Sequence, residues 1–450
     1  LTGTLSAALS AGDTVRIYDG ATYIGNATVS GTTWTFAPSA LAGGSSHSYT
    51  AVVADAAGNL GTASAAFTLT VDITPPAQTA TIGGYTDDVG ILQGSFGSGT
   101  PTDDTTPVLT GTLSAALAAG DTVRIYDGAT LVGTATVTGT TWSFATPTLA
   151  NGSTHTYTAV VADAAGNEGT ASAPLALTVD TTPPTLTAAI TAYLDDVGTN
   201  QGSFGSGTPT DDTTPVLSGT LSAALSAGDT VRIYEGATFL GNATVTGATW
   251  TFATPTLANG STHTYTAVVA DAAGNLGTAS AGFSLTIDTT PPVQTALIAT
   301  FTDNVGIFQG NLGSGTITDD TTPVLNGTLS AALGAGDTVR IYDGATLIGT
   351  ATVTGTTWTF ATPVLANGST HTYTAVVADA AGNQGTASAA FSLTIDTTPP
   401  AQTTLIASFS DDVGINVGNF GSGVPTDDTT PVLTGTLSAA LSAGDTVRIY

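Results

Sequence analysis

Apolar and polar residues alternate with a period of two through most of the chain, in short runs separated by Gly-, Thr- and Asn-rich turns. In DTVRIYD (121–127), Val123 and Ile125 fall on one face and Arg124 and Tyr126 on the other, the pattern of a half-buried strand. Read in this way, the stretch from Ala77 to Asp180 predicts strands over 77–85, 107–113, 121–127, 130–137, 140–146, 155–163 and 172–180. Trp142 and Phe144 share a face and are expected to form the aromatic part of a core. No stretch sustains a 3.6-residue period. LSAALAAG is the one helix-like fragment, and it is too short to stand alone.

Seven short strands with turn signals between them, in about 100 residues, predict a Greek-key β-sandwich of immunoglobulin type. LANGSTHTY (149–157) places Tyr157 at the entry to the sixth strand, where a tyrosine corner belongs. The pattern then repeats. Leu1, Leu109, Leu217, Leu325 and Leu433 open the same phrase, and Arg16, Arg124, Arg232, Arg340 and Arg448 sit in the same TVRIY, at a period of 108. A period of that length is a domain, not a solenoid rung. The fold expected is therefore all-β, a tandem array of such sandwiches. Its boundaries are expected at 1–74, 75–182, 183–290, 291–398 and 399–450, with the first and last repeats incomplete. Leu1 and Tyr450 both fall inside expected strands, so the chain reads as a window onto a longer array.

Composition removes several functions. The formal net charge is −28, from 33 acidic residues against five arginines and no lysine. Nucleic acid needs a basic stripe and an anionic membrane surface needs basic residues, so neither is an expected partner. No apolar run is long enough to span a bilayer. There is no Cys, hence no disulfide, thiolate metal site or thiol nucleophile, and no Met. Such a chain suits life outside the cell.

The second period, which runs from TDDTTPVLTGTL through GTATV and VADAAGN to VDTTPP, resembles the bacterial immunoglobulin-like repeats of very large secreted adhesins and biofilm proteins, and the resemblance covers all four complete periods. The resemblance implies an exported, extracellular protein at the bacterial cell surface. It also implies repeats that serve as an extender, with calcium at the domain junctions. Two further parts of such proteins, GGxGxD nonapeptides and a ligand-binding domain, are not in this sequence.

The acidic residues are grouped. Asp72, Asp180, Asp288 and Asp396 each precede Pro-Pro after two residues. Asp87–Asp88, Asp195–Asp196, Asp303–Asn304 and Asp411–Asp412 follow, then Asp103–Asp104, Asp211–Asp212, Asp319–Asp320 and Asp427–Asp428. In an immunoglobulin sandwich the loop joining the first two strands lies at the end where the last strand leaves. The loop after the sixth strand lies at the opposite end and meets the preceding domain. It carries Asp163 and Asn167, Asp271 and Asn275, and Asp379 and Asn383. A joint could thus gather Asp195, Asp196, Asp211, Asp212 and Asp288 from one repeat with Asp379 and Asn383 from the next. Calcium takes six to eight hard oxygen ligands of this kind, and zinc or copper would be poorly served. Plain turn chemistry is the competing account, because Asp and Asn side chains bond to nearby backbone in loops.

Other groups point elsewhere. His47, His155, His263 and His371 stand alone before the corner tyrosine and read as structural or solvent-facing. Asp13 and Asp19 read as solvated strand ends, and Arg124 and its copies as lying over a tyrosine or pairing with a carboxylate. No Ser-His-Asp arrangement, nucleophile elbow or phosphate loop is legible, so no enzyme is expected. The function expected is an extender projecting a distant binding domain, with neighbouring repeats as its partners. The alternative is a self-associating filament, sheath or matrix fibre, with other copies of the chain as partners. A glycan-binding repeat would need an aromatic cleft, for which only Tyr18, Tyr126 and their copies are on offer.

Overall fold

The computed structural model describes all 450 residues and contains strands only. No helix long and apolar enough to cross a membrane is present. By internal contacts the chain forms two compact units. One comprises Leu1–Ala192, Val216–Ala253 and Thr264–Phe283, and the other Tyr193–Pro215, Thr254–His263 and Ser284–Tyr450. The second repeat lies within the former and the fourth within the latter.

The second repeat has ten strands: β1 (Ala80–Asp87), β2 (Gly94–Phe96), β3 (Pro101–Thr102), β4 (Val108–Leu113), β5 (Thr122–Asp127), β6 (Thr130–Thr134), β7 (Thr136–Thr138), β8 (Thr141–Ala145), β9 (Thr154–Ala162) and β10 (Leu175–Val179). They form two five-stranded sheets, ordered β7-β8-β4-β1-β2 and β3-β10-β9-β5-β6. The expected seven strands are all there, and three differences have local causes. The run expected over 130–137 breaks at Ala135, so that its first half pairs with β5 and its second with β8 in the other sheet. The loop between the first two long strands is itself structured. β2 pairs antiparallel with β1, and β3 crosses to pair parallel with β10, Thr102 opposite Val179. Gly, Ser and Pro dominate that loop, which hides its strands from a periodicity reading.

Alternation sets the core. Along β10, Leu175, Leu177 and Val179 are buried while Ala176 and Thr178 are exposed. They meet Tyr85, Leu109, Val123, Ile125, Trp142, Tyr157 and Val161, with Phe144 partly buried at the margin. Gly111 lies opposite Trp142 in the β4–β8 ladder, and a Cβ there would collide with the indole and with the Thr81 carbonyl. A glycine in mid-strand is thus the seat of the largest core side chain. The fourth repeat repeats this core with Phe301, Leu325, Trp358 and Tyr373.

The corner tyrosine departs from expectation. Tyr373 and Tyr49 have buried hydroxyls without a hydrogen-bond partner, so the bond that defines a tyrosine corner is not made there. Burial raises Tyr157 to about 12. The tyrosine that does bond is Tyr85 on β1, which donates to the Thr100 carbonyl at 2.9 Å and fastens the structured loop to the core.

Candidate functional site

The joints between successive repeats are where the grouped polar residues meet. β3 brings the second acidic doublet beside the end of β10, since the Asp180 amide donates to the Thr102 carbonyl at 2.8 Å. From there the aspartates divide by task. Asp87 is buried; its Oδ2 accepts from the Thr102 hydroxyl and its Oδ1 from the Val89 amide at 3.0 Å. Asp104, 3% exposed, accepts from the Thr106 amide at 2.7 Å. Asp195 and Asp212 do the same in the third repeat, as do Asp303 and Asp320 in the fourth and Asp411 and Asp428 in the fifth. Asp72, Asp180, Asp288 and Asp396 each accept from the amide two residues on, entering the Pro-Pro link. These are the bonds of Asx-turns. Asp88, Asp196, Asn304 and Asp412 are exposed on the same loop.

The first residue of the second doublet behaves differently. Asp103 and Asp211 each have a buried Oδ1 with no hydrogen-bond partner. Each carboxylate lies against a glycine of DDVG, Gly90 or Gly198, at a positive φ of 64° where a Cβ would overlap its Oδ2. The Asp103 carboxyl is held above its ordinary value, first by burial, then by the charge of Asp87, with Asp271 of the next repeat and Asp104 adding to it. Asp211 is raised by the same causes, burial first, then Asp195, with Asp379 from across its joint. Asp319 and Asp427 are exposed.

From the other side comes the DAAGN loop. Asp163 accepts the Asn167 amide on Oδ1 and its side-chain amide on Oδ2, each at 2.8 Å, which closes the loop. The same asparagine reaches the preceding repeat. Asn167 Nδ2 donates to the Asp72 carbonyl at 3.1 Å, Asn275 Nδ2 to Asp180 at 2.8 Å, and Asn383 Nδ2 to Asp288 at 2.7 Å. Ala273 and Gly274 are buried in this contact, as are Ala381 and Gly382. The link after each sandwich is braced as well. Asn151 accepts from the Thr181 amide and donates to the Thr182 hydroxyl, both at 2.8 Å, and Asn259 and Asn367 act likewise.

As a site for a dication the joint offers hard oxygen donors and two orphaned carboxylate oxygens. No group of three or more His, Cys, Asp or Glu side chains converges on a point that could hold a metal ion. Most of the expected ligands are spent on the loops, and Asp103 and Asp211 keep free acceptor capacity.

The histidines are not alone. His155 Nδ1 meets Asp127 Oδ2 at 2.7 Å and its Nε2 meets Ser153 Oγ at 2.8 Å. His47 with Asp19 and Ser45, and His371 with Asp343 and Ser369, repeat the arrangement. Asp19 and its copies are therefore partners of the histidines, and the His47 bond holds the Asp19 carboxyl below its ordinary value. The aspartate lies 26 positions before the serine and 28 before the histidine, so only pairing of β5 with β9 reveals the tie. The hydroxyl proton of Ser153 is committed to the Ala150 carbonyl at 2.6 Å, which makes the group a tie across the corner. Arg124 pairs with Glu168 at 2.7 Å and Arg232 lies over Tyr234, as expected.

Paired five-stranded sheets in series, joined by a repeated side-chain contact, define a tandem array of immunoglobulin-like sandwiches. A family model described as "Bacterial Ig-like domain" matches residues 2–73, 89–181, 187–289 and 303–397. These spans cover more than half of the sequence, and the chain belongs to that family. No curated protein matches it. Among solved structures it is similar to one described as "Structural insight into host cell surface retention of a 1.5-MDa bacterial ice-binding adhesin", at 18% identity over 72% of this chain and 99% of that one, TM-score 0.24. Sidekick-1 immunoglobulin domains 1–4 match at 12% identity over 88% of this chain and 93% of that one, TM-score 0.19. A putative membrane-anchored protein from Corynebacterium diphtheriae matches at 10% identity over 89% and 98%, TM-score 0.20. At such TM-scores these likenesses carry no further argument.

Proposed function

We propose that the chain is a non-enzymatic extender from a bacterial surface adhesin, in which each repeat fastens to the one before it and reach grows with repeat number. The observation that carries this reading is the asparagine of DAAGN. At three successive joints it donates to the final carbonyl of the preceding sandwich, at 3.1, 2.8 and 2.7 Å. Pro-Pro limits the link, and this bond holds its start. A bacterial family, a chain without Cys or Met and a charge of −28 support a place outside the cell, where adhesion or biofilm formation would use such a stalk.

Calcium is the finer part of the proposal. Asp103 and Asp211 would supply ligands through their unpaired oxygens, with exposed Asp88 and Asp196 from the same loops and backbone carbonyls completing the hard-oxygen set. A dication there would offset the repulsion that raises the two carboxyls. The test uses the whole chain, by small-angle scattering and thermal melting, in calcium and then in chelator. Calcium should lengthen the particle and raise its melting temperature. If neither changes, the aspartates are turn residues and lateral assembly into a fibre becomes the better account.

A further inference from the structure

We propose that the third and fourth repeats recognise each other through a polar lock that the other repeats do not share, so that neighbours in this array are matched in pairs. The lock lies where the DDVG loop of one repeat meets the TVRIY strand of the next. Arg340 is 9% exposed, and its guanidinium donates to Thr199 Oγ1 at 2.7 Å and to Asn200 Oδ1 at 2.5 Å. Thr199 in turn donates to the Gly382 carbonyl at 2.7 Å. Charged donors on two neutral acceptors, enclosed between repeats, make the stronger class of hydrogen bond.

At the joint before it the same arginine does something else. Arg232 folds back within its own repeat, its guanidinium carbon 3.8 Å from the Phe239 ring centroid and its Nε donating to Tyr234 at 3.0 Å. The loop residues facing that joint are Ile91 and Leu92, and Leu92 packs on Gly274. Four positions differ together between the two joints. Ile91, Leu92, Phe239 and Leu276 stand where the later joint has Thr199, Asn200, Leu347 and Gln384. Each change frees or receives Arg340. Leu347 removes the ring on which the guanidinium would stack, Gln384 occupies the Tyr342 hydroxyl, and Thr199–Asn200 supply the acceptors. Two of these positions are in the fourth repeat and the acceptors are in the third, so the pair is matched across the link. The next joint uses a further solution, with Arg448 4.9 Å over the Phe308 ring.

The lock needs neither calcium nor the extender reading, and it is tested in chelator on the full chain. The chain has five arginines and no lysine, so an arginine-directed 1,2-dicarbonyl reagent with peptide mass spectrometry reads each joint separately. Arg340 should react about tenfold more slowly than Arg16, which has only a ring contact with Tyr23, as two charge-assisted bonds would impose. Thr199→Ile with Asn200→Leu should bring Arg340 close to the Arg16 rate and leave Arg16 and Arg232 unchanged. The reverse transplant, Ile91→Thr and Leu92→Asn with Phe239→Leu and Leu276→Gln, should move Arg232 into the slow class. Equal rates for Arg340 and Arg16 in the parent chain, or an Arg340 that stays slow in the double variant, overturn the proposal. Should the double variant lose its fold, seen as acceleration of all five arginines, the transplant decides, and an Arg232 that stays fast rejects matched pairing.

Discussion

Asn275→Ala tests how far one side chain fastens two sandwiches. The substitution removes a bond to the Asp180 carbonyl at 2.8 Å and a bond to Asp271 Oδ2 at 2.9 Å. A neutral hydrogen bond contributes about 1 kcal/mol and one to an ionised acceptor about 2 kcal/mol. Asp271 is half-buried, so water recovers part of the second, and the net loss is about 2 kcal/mol. The reference is Asn59→Ala. Asn59 makes the same side-chain bond to Asp55 at 2.8 Å and none across a joint. The difference between the two variants isolates the bond across the joint, about 1 kcal/mol or roughly fivefold in an opening equilibrium. Hydrogen exchange on the full chain, read over the amides of residues 181–187, measures it. Asn275→Ala should speed exchange of that link about fivefold, and Asn59→Ala should leave it unchanged. If Asn275→Ala loosens only its own DAAGN loop, the joint is not held by this residue and the extender reading loses its support.

Two further substitutions probe the joint charge and the core. The Asp103 carboxyl is raised, so the folded joint keeps a proton that the unfolded chain has released, and stability falls as pH rises from the ordinary Asp value through the folded one. Asp103→Asn should therefore raise the melting temperature at neutral pH in chelator and lower it in saturating calcium; a rise in both media assigns calcium elsewhere. Gly111→Ala should cost about 3 kcal/mol by driving a methyl group into Trp142 and the strand beyond it, read as early melting of one repeat by tryptophan fluorescence. An unchanged melt would mean that the indole can leave its seat without penalty.

The sandwich was legible because strands such as 175–179 alternate cleanly and the 108-residue period repeats each signal. Trp142 was placed in the core by the same rule. Two short strands were not legible, since β2 and β3 draw their order from partners in different sheets and not from their own composition. The joint was found from topology alone, as the loop positions expected of an immunoglobulin sandwich bring Asn383 to Asp288. Which aspartates were spent could not be read in advance. Asp104 and Asp103 are adjacent and chemically identical, and they separate only because one side chain turns to Thr106 and the other to Gly90. The histidine ties were hidden for a similar reason, their members being distant in sequence and neighbours across β5 and β9.

The asparagines that brace each link also set a chemical lifetime. Asn151, Asn259 and Asn367 are each followed by glycine, the neighbour that least hinders attack of the backbone nitrogen on the side-chain amide. A chain with no sulfur is spared Cys and Met oxidation, and slow loss of these amides is among the ageing reactions left to it. Once Asn151 becomes a carboxylate it still accepts from Thr181 but can no longer donate to Thr182. Wear of this kind would accumulate at the links, one repeat at a time. The first repeat has Gly43 at this position and is exempt.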